Sequence, residues 1–167
     1  TLEILVAGAG VGGLAAALAF AREGHRVQVV ERAERLGEVG AGLQLSPNAM
    51  RAVDALGLGA AVRAVAERPE AAEIRLAGSG RRVYRLPLGA AAEARWGAPY
   101  LHVHRADLQA ALREAVEAAG VRLHLGEAAE GLASAGEADG RAVLATSAGR
   151  READLLVAAD GVRSALR

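Results

Sequence analysis

An apolar run, Ile4-Leu5-Val6-Ala7, leads straight into Gly8-Ala9-Gly10-Val11-Gly12-Gly13. A small-residue stretch follows, and then a second apolar run, Val27-Gln28-Val29-Val30, which ends in an acid, Glu31. This order predicts a strand, a glycine turn, a helix and a second strand. In such a unit Gly8 makes the tight turn, Gly10 lets the backbone approach a pyrophosphate, and Gly13 lets the helix pack close to the strand. The helix N-terminus then faces the phosphate charge. Glu31, at the tip of the second strand, is placed to accept hydrogen bonds from a ribose diol. Glycine-rich turns are common; the strand, helix, strand and acid around this one make it specific. Together they predict a site for an adenine dinucleotide.

The rest of the chain continues the alternation. Leu14, Ala17, Leu18 and Ala21 fall at helical spacing, with Gly24 as a stop signal. A second glycine-rich segment, Gly37 to Gly42, precedes Leu43-Gln44-Leu45, and Ser46-Pro47-Asn48 reads as a helix entry capped by Ser46. Met50, Val53, Leu56 and Leu58 form a short apolar face, broken at Gly57 and Gly59. Alternation in Glu73-Ile74-Arg75-Leu76 and in Arg82-Val83-Tyr84-Arg85-Leu86, around Gly78-Ser79-Gly80, predicts a hairpin. Leu108, Ala111, Leu112, Ala115, Val116 and Ala119 make a helical stripe ended by Gly120, and Val121 to Leu125 reads as a strand. A further hairpin is expected around Ala142 to Thr146, and Asp154 to Ala159 is expected to be a buried strand running into Asp160-Gly161. The alanine patch at residues 90–94 is the one low-complexity stretch, and no linker marks a domain boundary. Short connections between alternating helices and strands predict an α/β domain over residues 1–167, Rossmann-like, with a mostly parallel sheet and added antiparallel hairpins.

Composition excludes several classes. The 20 basic and 20 acidic residues cancel, so the chain carries no electrostatic footprint for nucleic acid or an anionic membrane. Without cysteine it has no disulfides, Fe–S ligation or thiol chemistry. Aromatics are 2% of the chain against 52% hydrophobic residues, so the core is expected to be Ala, Val and Leu. Leu2 to Ala7 is too short for a signal peptide and no run approaches a membrane span, which gives a cytoplasmic expectation. His102 and His104 would share one face of a strand, but no third ligand stands near, and no metal site is expected. No nucleophile and base stand out as a pair.

The fingerprint leaves NAD and FAD open; three further motifs narrow the choice. They are Gly40-Ala41-Gly42-Leu43-Gln44-Leu45-Ser46-Pro47-Asn48-Ala49, His104-Arg105-Ala106-Asp107-Leu108, and the closing Asp160-Gly161-Val162-Arg163-Ser164-Ala165-Leu166-Arg167. With the glycine turn, they resemble the N-terminal half of the single-component FAD-dependent aromatic hydroxylases, above all the salicylate hydroxylase-like and urate hydroxylase-like members. The resemblance implies that Gly8, Gly10, Gly12 and Gly13 cradle the FAD pyrophosphate, with Glu31 on the adenosine ribose and Arg32 beside it. It implies Gln44 near the flavin end, Arg105 on the flavin side, and a backbone contact to adenine at Ala129, where the family often has Val. Asp160 would orient the pyrophosphate or ribityl region. The family's chemistry is reduction of FAD by NADH or NADPH, followed by hydroxylation of a small aromatic or heteroaromatic ring with oxygen; flavin carries the redox step itself. Members also carry a second flavin motif, Gly-Asp-small-His, and a substrate-pocket sheet, both missing from this sequence. The expectation is therefore a truncated FAD-binding portion, doubtful as a catalyst alone. The rival expectations are a flavin oxidoreductase that does not activate oxygen and a binding module without activity.

Overall fold

The computed structural model describes residues 1–37, 41–133 and 140–166. The sequence motifs touch Glu38, Val39, Gly40 and Arg167, which lie outside the described residues. In chain order the elements are β1 (Glu3–Ala7), α1 (Val11–Arg22), β2 (Arg26–Glu31), β3 (Gly42–Leu45), α2 (Pro47–Ala55), α3 (Gly59–Val65), β4 (Ala71–Arg75) and β5 (Arg82–Pro87). They continue with α4 (Gly89–Trp96), β6 (Leu101–His104), α5 (Arg105–Ala118), β7 (Arg122–Leu125), β8 (Ala129–Ala133), β9 (Ala142–Thr146), β10 (Gly149–Ala153) and β11 (Leu155–Ala158). The chain groups into two compact units, residues 1–38 with 109–167, and residues 39–108.

The first unit is built on a parallel sheet of order β11-β1-β2-β7. Val6 of β1 pairs with Val29 of β2 and with Val157 of β11, and Val29 pairs with Leu123 of β7. Four consecutive residues of β1, Ile4 to Ala7, are buried, as a strand covered on both faces requires. Gly13, Leu14, Ala17 and Leu18 form the buried side of α1, and the small Gly13 and Ala17 let that helix lie close to the sheet. Because the strands are parallel, Gly8, Glu31 and Ala159 all follow or end strands at the same edge. A three-stranded antiparallel sheet, β10-β9-β8, is joined to this layer through a core of Leu5, Ala7, Val30, Leu144 and Ala153.

The last strand differs from expectation in burial and in where it begins. The strand expected to be buried at Asp154 to Ala159 is β11, the end strand of its sheet among the described residues, paired there with β1, with Leu155 38% exposed. Asp154 itself stands before the strand and accepts the N–H of Glu3 on its carboxylate at 2.7 Å. The hairpin expected around Ala142 to Thr146 is present as β9 paired antiparallel with β10, and β8 adds a third strand on the other side of β9.

In the second unit, β3 pairs antiparallel with β6 and β4 with β5, the latter being the expected hairpin. Ser46 occupies the N-cap position of α2, but its hydroxyl donates to Asn48 Oδ1 at 2.5 Å instead of capping a backbone N–H. Two helices were not visible in the sequence: α3, which begins at Gly59, and α4, which forms from the alanine patch and ends at Gly97 with φ +71°. Among the described residues no helix is long and apolar enough to cross a membrane.

Candidate dinucleotide-binding site

The glycine turn divides into two pairs with different physical duties. Gly8 has φ +103° and donates to the Val30 carbonyl at 2.8 Å; a Cβ there would run into the Ala159 carbonyl oxygen. A Cβ on Gly13 would run into the carbonyl oxygen of Gly8. These two glycines answer to the protein's own packing. At Gly10 and Gly12, by contrast, a Cβ would meet nothing within 4 Å. Gly10 is the N-cap of α1, with φ −67°, no capping side chain and no acid in the first turn that follows. The first-turn N–H groups of a helix have no partner within the helix, and a start without a capping side chain or an acid suits an anion.

Glu31 closes the other side of the turn. Its Oε2 accepts the N–H of Ala9 at 2.8 Å and its Oε1 accepts the N–H of Ala33 at 2.9 Å. A carboxylate oxygen takes two such bonds, so each oxygen keeps a lone pair for a diol. Gly8, Glu31, Arg32, Ala129 and Asp160 line one cavity of about 170 Å³ at the C-terminal edge of the parallel strands. Open α/β sheets bind ligands at that edge. Asp160 accepts the Ser164 hydroxyl at 2.7 Å and the Ala165 N–H at 2.8 Å. Burial pushes its carboxyl up, but those hydrogen bonds outweigh the burial and hold it below its ordinary range.

The remaining residues singled out in the sequence lie in the second unit. Gln44 on β3 accepts the Tyr100 hydroxyl at 2.7 Å, and Arg105, half-buried at the start of α5, donates its N–H to the Ala41 carbonyl at 3.0 Å. His102 and His104 do share the exposed face of β6, opposite buried Leu101 and Val103. Among the described residues no three potential ligands group as a metal site.

Two features of the first unit had no signal in the sequence. Buried Gln109 on α5 donates Nε2–H to the carbonyl of Ala9, inside the glycine turn, at 3.1 Å. Behind the cavity, Arg151 grips Glu127 with Nε and Nη2, each at 2.6 Å, and the Thr146 hydroxyl donates to the same carboxylate. The guanidinium holds the Glu127 carboxyl below the usual carboxylate range, against the opposing pull of burial. The backbone N–H of Glu127 donates to the Glu31 carbonyl at 2.9 Å, which ties the ion pair to the strand end that carries the acid. Such pairs join residues from separate elements, and a single sequence gives no spacing rule for them.

The site thus has open space over an uncapped helix start, a shaped glycine turn and a carboxylate with free acceptor capacity, which fits a dinucleotide. The comparisons with known proteins agree. The chain is 46% identical over 119 residues to a 3-hydroxybenzoate 6-hydroxylase of Polaromonas naphthalenivorans, a match covering 71% of the chain and 30% of that protein. It is 40% identical over 166 residues to a 3-amino-4-hydroxybenzoate 2-monooxygenase of Streptomyces cremeus, covering 99% of the chain and 41% of that protein. Among solved structures, 2-methyl-3-hydroxypyridine-5-carboxylic acid oxygenase superposes with a TM-score of 0.85 at 30% identity, covering 100% of the chain and 41% of its own. The chain therefore spans about two fifths or less of the length of these relatives. Residues 1–167 match the family model described as an FAD binding domain, and the chain belongs to that family.

Proposed function

We propose that this chain binds the adenosine and pyrophosphate end of FAD as part of a flavoprotein monooxygenase that hydroxylates a small aromatic or heteroaromatic ring. The observation that carries this reading is the convergence of Gly8, Glu31, Arg32, Ala129 and Asp160 on one cavity beside the open start of α1. Gly10 and Gly12 leave room for the pyrophosphate, the Glu31 carboxylate takes the ribose diol, and Arg32 stands beside it. The backbone at Ala129 meets the adenine, and Asp160, held ionised by its hydrogen bonds, orients the pyrophosphate or ribityl region. Gln44 and Arg105 are assigned to the flavin end on the family's pattern. When bound, FAD supplies the redox chemistry, with NADH or NADPH as reductant and oxygen as co-substrate. The named relatives act on hydroxybenzoates, which supports a small aromatic acid as substrate. Hydroxylation itself is assigned to a protein of the relatives' length, because closing a site over the reacting groups is what protects them from side reactions.

The test is to load the purified chain with FAD, supply NADH or NADPH with 3-hydroxybenzoate or 3-amino-4-hydroxybenzoate, and measure bound flavin, hydroxylated product and peroxide. Bound flavin without stoichiometric product is the expected result. Absence of bound flavin overturns the cofactor assignment, and stoichiometric product overturns the division of labour.

A further inference from the structure

The Ala9 residue at the centre of the glycine turn is held on both sides. Its N–H is taken by the Glu31 carboxylate from β2, and its carbonyl by the Gln109 amide from α5. The orientation of the amide is fixed by its partner, since a carbonyl oxygen only accepts and the Nε2 group is the one that donates. A trans peptide is planar, with its C=O and N–H pointing in opposite directions. Pinning the Ala9 carbonyl toward α5 therefore turns the N–H of Gly10 away from α5. A Cβ on Gly10, as on Gly12, would meet nothing within 4 Å, and among the described residues no backbone acceptor takes the Gly10 N–H.

We infer that Gln109 is a positioning residue for the cofactor phosphates: it fixes the Ala9–Gly10 peptide so that the Gly10 N–H is presented to the pyrophosphate before the ligand arrives. The inference rests on the assignment of this turn to FAD. Gln109 and Ala9 lie 100 positions apart in the chain, so the contact is purely tertiary. A peptide that is free to rotate would have to be ordered by the ligand, at a cost in affinity. Gln109 touches no part of the ligand in this account and acts through the peptide alone.

This separates it from a residue that merely packs α5 against the turn. Loss of packing would weaken every ligand of the site alike, whereas loss of peptide orientation weakens only ligands that carry the pyrophosphate. The experiment compares the parent chain with Gln109→Leu, which keeps the bulk and removes the donor, using calorimetric or NMR titration with FAD, ADP and adenosine. Gln109→Leu is expected to raise the dissociation constants for FAD and ADP about tenfold and to leave adenosine within twofold. Equal weakening of all three ligands, or unchanged affinity for ADP, overturns the inference. Should Gln109→Leu fail to fold, unbranched Gln109→Met is titrated in its place, with the same expected and overturning results. A parent chain that binds neither FAD nor ADP overturns the site assignment and this inference together. Normal parent binding with an unselective variant overturns this inference alone.

Discussion

The Glu31 carboxylate reaches from the end of one strand to the N–H of Ala9 in the turn that follows its neighbour, at 2.8 Å. One side chain thereby braces the glycine turn and keeps lone pairs which, in the proposed reading, take the ribose diol. On that proposal, cofactor recognition and the shape of the turn are coupled through a single acid.

Glu31→Gln tests that coupling. The amide offers one acceptor oxygen where the carboxylate offers two, so either a backbone N–H or the diol loses its partner. A hydrogen bond to a charged group contributes roughly 1.5–3 kcal/mol, so FAD affinity should fall about ten- to hundredfold. Flavin titration within twofold of the parent would contradict the assignment of Glu31.

The glycines should separate folding from binding. Gly8→Ala places a side chain at φ +103° against the Ala159 carbonyl, so it should lower stability by at least the roughly 1–3 kcal/mol typical of a strained backbone position. Gly10→Val has an ordinary φ of −67° and open space, so the fold should survive while FAD binding collapses, because the branched side chain fills the space left for the phosphate. Thermal unfolding and flavin titration of both variants check this. Equal FAD affinity in Gly10→Val and the parent would contradict the phosphate cradle.

The Glu127–Arg151 pair should make stability depend on pH. Its carboxyl is held below the usual range in the folded chain, so its contribution is complete above the unfolded value, about 4.3. That contribution is lost as pH falls through the lowered folded value. Glu127→Ala leaves a largely buried guanidinium with no carboxylate and only a long contact to Gln28 at 3.4 Å, and should cost roughly 2–4 kcal/mol at pH 7, the usual range for breaking a buried pair being about 3–5. Denaturant unfolding at pH 7 and pH 3 should show the gap between parent and variant narrowing in acid. A gap unchanged between those conditions would contradict the account.

Much of the first unit was legible because its signals are local. A continuous apolar strand, a glycine turn and an acid at the next strand's tip sit close together in the chain, and the structure brings Gly8 and Glu31 to one cavity with Arg32, Ala129 and Asp160, to which only the family resemblance pointed. What escaped was either uniform or tertiary. An alanine run has high helix propensity but no contrast between faces, so α4 read as low complexity. A short helix that opens on glycine, α3, carries neither a cap nor a stripe. The buried character wrongly expected for β11 came from reading an apolar run without knowing that it ends the sheet. Gln109 and the Glu127–Arg151 pair act on partners from other elements, which no periodicity announces.

In the proposed reading the glycine turn and Glu31 form the adenosine-pyrophosphate end of an FAD site. The most direct measurement is equilibrium titration of the purified chain with FAD in the presence and absence of ADP. The account predicts saturable binding of one FAD per chain, displaced competitively by ADP and lost in Gly10→Val. FAD binding that ADP leaves untouched, or no saturable binding at all, would contradict it.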